Sequence, residues 1–229
     1  MHARCAALPQ YTLELTRTER RGFIRTLRGP ERILCYFRAE PFSVRMRWLD
    51  EHVKYGESTF VRGEQGDRVR FVPRRNPLGG APPLLRVDLQ TPVIWGEARR
   101  PLTDFGLERL LARTLATIEA AGQGVAVSYR GEVPLPLGPS AGSLAARRVH
   151  HFRIDYDPEL HAAPHQDLYI DAVSLLPAAT RITFPDGALD AEYIWDQIRT
   201  DVRLTDDDFV LPVERERPAV DTSPDEPPQ

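Results

Sequence analysis

The clearest alternation of apolar and polar residues follows Pro41 and runs from Phe42 to Trp48. Its apolar members are Phe42, Val44, Met46 and Trp48. Side chains on a β-strand point alternately to its two faces, so this spacing predicts a strand with one apolar and one charged face. Full burial of each such side chain contributes about 1.5–3 kcal/mol. We therefore expect a core, a partner or a ligand to cover the apolar face.

Ten further segments have strand-like patterns and are separated by glycine- and proline-rich turns. They are 11–19, 32–38, 57–62, 68–72, 84–89, 125–130, 148–155, 165–173, 180–184 and 191–199. The first turn is expected around Gly22 and Gly29-Pro30. Closely spaced strands with short connections predict a meander, in which sequence neighbours pair antiparallel.

One amphipathic helix is predicted after Pro101, with Thr103 or Asp104 as its N-cap and Gly122 as its end. Its apolar face is formed by Leu107, Leu110, Leu111, Leu115 and Ile118. Such a helix is expected to lie across one face of the sheet. The composition of 131–143 predicts a long loop, which is a candidate lid. Residues 205–209 are predicted to form a capped single turn.

The predicted fold class is therefore mainly β: a strongly curved antiparallel sheet with an apolar concave side and one or a few helices. We expect a single domain over 11–211, preceded by an N-terminal extension over 1–10. Prolines and charges dominate 212–229, and this composition predicts a disordered tail.

Composition excludes several classes of protein. Of the 229 residues, 41% are hydrophobic and 28% charged, with a net charge of −3, so charge alone indicates neither a nucleic-acid partner nor an anionic membrane surface. No apolar run approaches the length of a membrane span, and no signal peptide opens the sequence. Cys5 and Cys35 form neither a disulfide framework nor a zinc site. Cys35 is expected to be a buried strand thiol; a Cys5–Cys35 bridge is the alternative.

The sequence shows no evident catalytic machinery and implies no cofactor. It has no Gly-x-Ser-x-Gly motif, and the glycines near Ser140 lack the lysine of a phosphate loop. The candidates for a metal-dependent hydrolase are His150, His161, His165 and Asp155. Pro164 interrupts the His161–His165 spacing, and the acidic residues suit turns and helix starts. No metal site is therefore predicted, and the hydrolase is the third hypothesis.

The apolar strand faces suggest a ligand cavity, because one helix is too little to cover all of them. The candidate cavity residues are Tyr11, Leu13, Phe42, Val44, Met46, Trp48, Phe71 and Trp95. Packing in the protein's own core is the alternative for each. A lipid or acylated protein would fill such a cavity. A protein partner would instead bind the same apolar surface or an edge strand.

Several motifs resemble a family of uncharacterised bacterial envelope proteins. That family has a tyrosine-led first strand, a Pro-Phe-Ser-Val-x-Met-x-Trp-Leu strand, a Pro-x-Thr-Asp-Phe-Gly-Leu helix start, and late Tyr-Ile-Asp and Leu-x-Asp-x-Asp-Phe patterns. The matching residues here begin at Tyr11, Pro41, Pro101, Tyr169 and Leu204. The resemblance extends to about Leu211.

This family looks like a branch of the LolA, LolB and LppX type of lipoprotein and lipid carriers. The resemblance implies an incomplete β-barrel with a helical lid and acyl chains held inside. It also implies a non-enzymatic protein that is exported to the periplasm. Those carriers usually close the barrel mouth with several helices, whereas the pattern here predicts one.

Overall fold

A single antiparallel sheet dominates the computed structural model, which describes residues 1–76, 79–137 and 146–215. The eleven strands lie in the spatial order β6-β5-β4-β3-β2-β1-β11-β10-β9-β8-β7. They are β1 (Gln10–Arg21), β2 (Thr26–Arg38), β3 (Ser43–Trp48), β4 (Tyr55–Val61), β5 (Val69–Pro73), β6 (Leu85–Val87), β7 (Val125–Pro134), β8 (Arg148–Tyr156), β9 (His165–Asp171), β10 (Pro177–Thr183) and β11 (Leu189–Arg199). The curved sheet does not close, because β6 and β7 are its two edges. The predicted mainly β fold class is confirmed.

Helices are few in the described part of the chain. They are α1 (His2–Ala6), α2 (Thr91–Ile94), α3 (Leu107–Ala121) and α4 (Pro212–Arg215), with short 3-10 turns between some elements. Only α3 exceeds two turns, so the prediction of one substantial helix is confirmed. Among the described residues, no helix combines the length and the apolar character needed to cross a membrane.

The predicted meander is correct within each half of the sheet, but the halves join through a long-range pair. β1 pairs with β2 on one side and with β11 on the other, where Arg17 lies opposite Tyr193. All eleven predicted strands exist, with ends shifted by a few residues. The largest shift is in β2, which already includes Gly29 and Pro30, so these residues are strand rather than turn.

The alternating pattern on β1 to β4 builds the main core. Tyr11, Leu13 and Leu15 of β1 share this core with Ile33 of β2 and Val44 of β3, and all five side chains are buried. Leu107 and Leu111 of α3 pack on the same cluster, as the amphipathic pattern predicts. This half of the concave face is filled by the protein's own side chains.

The start of α3 is fixed to β1 by a hydrogen bond that the pattern did not reveal. The Leu107 N–H donates to Tyr11 Oη at 2.9 Å, and Gly106 is the N-cap. The predicted caps Thr103 and Asp104 lie instead within a 3-10 turn, Leu102–Asp104. Gly106 has φ 135°, and a Cβ there would come within 3.1 Å of the Phe37 ring. The close approach of helix and sheet therefore requires glycine.

The predicted loop 131–143 needs correction. Strand β7 continues to Pro134, and Leu135 and Leu137 then pack against Tyr169, Ala179 and Ile194. Thr180 and Trp195 point to the face that α3 covers. Ala179 and Ile194 are their neighbours along the strands and therefore point to the opposite face. The described part of this segment therefore covers the sheet face away from α3; residues 138–145 lie outside the described part.

The sequence predicts a capped turn and a disordered tail near the C-terminus, and the structure bears differently on these two predictions. Thr205 and Asp208 form a reciprocal capping box, which confirms the capped turn. Leu211 is fully buried, and α4 follows where the sequence predicts disorder. Arg70 Nη1 lies 3.2 Å from Glu214 Oε1 and holds this helix to β5. The disorder prediction is therefore wrong for 212–215, and residues 216–229 lie outside the described part.

Candidate functional site

A cavity of about 480 Å³ lies between the concave face of the sheet and its helical cover. Its floor is formed by β1, β10 and β11, and its roof by residues 98–106 and by α3. Its apolar part is lined by Leu15, Met46, Leu102, Leu107, Leu110 and Trp195. The volume falls within the roughly 300–1,000 Å³ range of small-molecule pockets.

The cavity begins where β1 changes character. The face of β1 that carries Tyr11, Leu13 and Leu15 continues with Arg17 and Glu19, and these two side chains line the cavity. The same period-2 spacing thus runs from the core into a charged end. An amphipathic cavity results, apolar beside α3 and charged near the end of β1.

The charged end contains a buried ion cluster centred on Glu19, which is only 2% exposed to solvent. Glu19 Oε1 lies 3.4 Å from Arg17 Nη1 and 3.5 Å from Arg21 Nε. Glu19 Oε2 accepts a hydrogen bond from the Tyr193 hydroxyl and lies 3.9 Å from Arg99 Nε. Three arginines and one tyrosine therefore converge on one carboxylate.

The cluster extends onto the neighbouring strands. Arg17 Nη2 donates to Glu31 Oε2 at 2.7 Å, and Arg21 donates to the other oxygen of Glu31. Arg99 Nη2 donates to Asp190 Oδ1 at 2.6 Å. The result is a network that crosses β1, β2, β11 and the loop after α2.

The pKa values in this cluster follow from burial and pairing. Burial works against the charge of Arg17, but Glu19 and Glu31 outweigh it and raise its pKa. Burial and the nearby charge of Glu19 raise the pKa of Tyr193, so its hydroxyl keeps the proton that it donates. Arg17 thus stays charged and Tyr193 stays protonated within the cluster.

A neutral polar ladder forms another wall of the cavity. The Tyr156 hydroxyl donates to Gln166 Oε1 at 3.3 Å, and Gln166 Nε2 donates to Thr180 Oγ1 at 3.2 Å. Thr180 Oγ1 donates onward to the Asp167 carbonyl oxygen at 3.0 Å. Because these groups bond to one another, the wall can face an apolar ligand without leaving them unpaired.

The eight predicted cavity residues lie in different parts of the structure. Tyr11, Leu13, Phe42, Val44 and Trp48 are buried in the core, and Tyr11 stacks on Phe37 with 4.7 Å between ring centroids. Among the eight, Met46 lines the cavity. Phe71 is half-buried against Tyr55, and Trp95 is 55% exposed. The structure thus brings the first five together as packing and leaves Met46 at the cavity.

The residues that line the charged end were missed as site candidates by the sequence reasoning. The available signal was the continuation of the Tyr11-Leu13-Leu15 spacing into Arg17, Glu19 and Arg21. Charged residues on the inner face of a strand indicate either an internal network or a ligand contact. Residues 98–106 carried no periodic signal, because they form irregular structure over the sheet.

The metal-site candidates are dispersed. His165 Nδ1 lies 2.6 Å from Asp155 Oδ1, while the His150 ring contacts Tyr129 and the His161 ring lies against Tyr156. Within residues 1–76, 79–137 and 146–215, no three His, Cys, Asp or Glu side chains are grouped to hold a metal ion.

The two cysteines are free and buried. Burial raises the pKa of the Cys5 thiol to about 11 and also raises the pKa of Cys35. Both therefore stay protonated at neutral pH, which is typical of structural thiols.

Comparison with known proteins gives one family and several structural likenesses. A family model described as "Protein of unknown function (DUF1571)" matches residues 8–214. No curated protein sequence matches the chain.

Three solved structures illustrate the likenesses. The complex of MucA and MucB from Pseudomonas aeruginosa is 13% identical, with a TM-score of 0.45 over 93% of this chain and 60% of that chain. The lipoprotein LppX from Mycobacterium tuberculosis is 11% identical, with a TM-score of 0.44 over 89% and 93%. A LolA superfamily protein from Nitrosomonas europaea is 7% identical, with a TM-score of 0.38 over 90% and 91%. The chain thus spans about three fifths of the MucB-type chain.

Proposed function

This chain belongs to the DUF1571 family of proteins of unknown function, and we propose that it is a non-enzymatic binding or carrier protein for an acyl-chain amphiphile. The observation that supports this proposal is the amphipathic cavity between the sheet and α3. We propose the periplasm of a bacterial envelope as its location, where lipids and acylated proteins have to be shielded from water.

The apolar part of the cavity suits an acyl chain. It is lined by Leu15, Met46, Leu110 and Trp195. Apart from the ring N–H of Trp195, these side chains have no hydrogen-bonding groups. Each buried methylene contributes about 0.8 kcal/mol, so even a partly enclosed chain gives useful affinity. Met46 adds an adaptable contact, because its unbranched side chain fits ligands of different shape.

The polar groups favour binding over chemistry. Glu19, Arg17 and Tyr193 hold one another in the ion cluster, and Gln166 and Thr180 in the neutral ladder. A general acid or base needs to gain and lose a proton near the working pH. The paired state of these groups supports a container lined by fixed dipoles and charges.

A second candidate function is a protein-interaction module of the envelope, for which strand β7 is the specific observation. β7 is an edge strand of ten residues, and its Val127 and Tyr129 side chains are 51% and 55% exposed. A long edge strand with unpaired backbone groups can accept a strand from another chain.

Native mass spectrometry of the gently purified protein, followed by solvent extraction, tests the proposal. We expect an adduct of one amphiphile that is lost on extraction and restored by adding dodecanoate. A protein partner in place of the adduct would favour the interaction module. A chain that carries no amphiphile and takes up neither dodecanoate nor dodecanol would contradict the carrier proposal.

A further inference from the structure

The cavity contains one cation that the ion cluster does not neutralise. Arg113 of α3 lines the cavity, and its Nη1 donates to the Asp104 carbonyl oxygen at 2.8 Å. Among the described residues, no carboxylate lies within 4.0 Å of its guanidinium. Burial, with Arg100 nearby, lowers the pKa of Arg113 below its usual value. The guanidinium is half-buried and has no ion-pair partner among the described residues, so this position favours an anion.

The charge balance around the cavity points the same way. Five arginines belong to the cavity and its buried ion cluster, namely Arg17, Arg21, Arg99, Arg100 and Arg113. They meet four carboxylates, those of Glu19, Glu31, Asp104 and Asp190. One positive charge is therefore in excess, and Arg25, which also pairs with Asp190, has a side chain that is 61% exposed outside the cavity.

Helix α3 also orders the cavity from apolar to cationic. Its cavity-lining residues are, in chain order, Leu107, Leu110, Arg113, Thr114 and Thr117. Residues three or four apart share a helix face, so the apolar side chains lie about one turn before the guanidinium. A ligand with an apolar tail along Leu107 and Leu110 would thus place its other end at Arg113.

We propose that Arg113 anchors the anionic head of the bound amphiphile, a carboxylate or a phosphate monoester. This inference rests on the proposed amphiphile-binding function and adds the charge of the ligand to it. The guanidinium offers five N–H donors in a planar fork that matches both groups. Arg100, which is exposed at the rim of the cavity, adds a second positive charge there.

Calorimetric titration with four ligands of one tail length tests this inference: dodecanoate, dodecyl phosphate, dodecanol and dodecyltrimethylammonium. We expect the two anions to bind at least tenfold tighter than the alcohol, and the cation to bind weakest. In Arg113→Gln the preference for anions should fall to below threefold, while dodecanol binding stays unchanged. Arg113→Lys, which keeps the charge but loses the fork, should retain part of the preference.

The matched control is Arg47→Gln, which removes the same charge from an exposed side chain on β3. It should keep the full preference. A difference between dodecanoate and dodecyl phosphate distinguishes a fatty-acid head from a lipid phosphate. Equal binding of dodecanol and the anions by the folded wild type would overturn the anion inference and leave the carrier function intact. Binding of none of the four would overturn both.

A separate observation concerns the hairpin between β1 and β2. Phe23 and Ile24 at its tip are 94% and 84% exposed, and Ile94 and Trp95 of the α2 region are also exposed. The Gly22 N–H donates to the Gly96 carbonyl oxygen at 3.0 Å, which brings the two segments together. We call these four residues, Phe23, Ile24, Ile94 and Trp95, the apolar tip.

The surroundings of the apolar tip are cationic. Residues 20–28 contain no acidic side chain, and Arg20, Arg25 and Arg28 lie partly or fully exposed beside the tip, whereas Arg21 is buried in the ion cluster. Exposed large apolar residues flanked by arginine suit the interface of an anionic bilayer, where the rings and chains insert and the guanidinium groups meet lipid phosphates. We propose that the apolar tip docks the protein on an anionic lipid surface. Two cavity-lining residues lie close to the tip along the chain: Glu19 is four residues before Phe23, and Ala98 is three residues after Trp95.

Vesicle co-sedimentation tests the docking proposal. Vesicles of phosphatidylglycerol should bind the protein at least tenfold better than vesicles of phosphatidylcholine, with a blue shift in tryptophan emission from Trp95. The double variant Phe23→Ser, Ile24→Ser should lose about tenfold in binding. The control Val173→Ser changes another apolar side chain, which is 93% exposed in the turn after β9, and should bind normally.

Two outcomes would overturn docking on a membrane. One is wild-type protein that binds neither kind of vesicle, or a double variant that binds as well as wild type. The other is sedimentation equilibrium that shows self-association lost in the double variant, because the tip would then contact a second copy of the chain.

Discussion

Replacing Glu19 by alanine is expected to lower the free energy of unfolding by about 3–5 kcal/mol, the cost typical of breaking a buried ion pair. The substitution leaves Arg17, Arg21 and Arg99 without their common carboxylate, and it removes the acceptor of the Tyr193 hydroxyl. Glu31 and Asp190 compensate only part of this charge. Urea denaturation measures the change through the transition midpoint, provided that the m-value is unchanged.

A neighbouring carboxylate on the same strand provides the control. Glu14 points to the other face of β1, its side chain is 29% exposed, and its nearest cation is Arg32 Nη1 at 3.9 Å. Glu14→Ala should change stability by less than about 1 kcal/mol. Glu19→Gln keeps the shape of the side chain and removes only the charge, so it should lower the free energy of unfolding by most of the same amount. A cost below about 1 kcal/mol for Glu19→Ala would show that the cluster contributes little to the fold.

The location of this cluster explains how the cavity stays open. On the other half of the concave face, apolar side chains from strand and helix meet and fill the space. Beyond Leu15, the inner face of β1 carries charges that pair with residues of β2 and β11 and with Arg99 of the roof segment. Ionic side chains held by their own partners cannot collapse into an apolar core without a large desolvation cost. The space is therefore a consequence of the change from apolar to charged residues along one strand.

The strands and the main helix were predictable from local periodicity, because both depend on which side chains face the core. Phe42, Val44 and Trp48 show the strength of this signal, since all three are buried on the predicted face. The pairing of β1 with β11 was not predictable in the same way. It joins Glu14 to Asp196, far apart in sequence, and no local pattern encodes such a contact.

The site was harder to predict than the fold for a related reason. An apolar strand residue has the same signature whether it packs in a core or lines a cavity, as Leu13 and Met46 illustrate. The distinction depends on what covers each position, and the cover comes from residues 98–106, which have no periodic pattern. Trp95 lies just before this segment, as the C-cap of a four-residue helix, and its side chain is exposed although it has the same apolar character as a core residue.

Filling the cavity from α3 should strongly weaken ligand binding without unfolding the protein. Thr114 is buried and lines the cavity, and its hydroxyl donates only to the Leu110 carbonyl oxygen of its own helix at 3.1 Å. In Thr114→Phe the ring would occupy space meant for the acyl chain. Excluding about three methylenes at about 0.8 kcal/mol each would weaken dodecanoate binding by about 50-fold. Calorimetric titration measures this loss, and the melting temperature should stay the same or rise, because a filled cavity often stabilises a fold.

The control Ala116→Phe places the same ring on the exposed side of α3, two residues away, and should bind dodecanoate like the wild type. The pair of variants separates two explanations of any amphiphile uptake. If the ligand lies in the cavity, only the change at Thr114 weakens binding. If dodecanoate binds instead at the apolar tip, both variants bind equally well, and the cavity is then a structural space beside the ion cluster rather than the binding site. Equal affinity of a folded Thr114→Phe and the wild type would therefore refute the carrier function in its present form, because that function requires the acyl chain between Leu110 and the sheet.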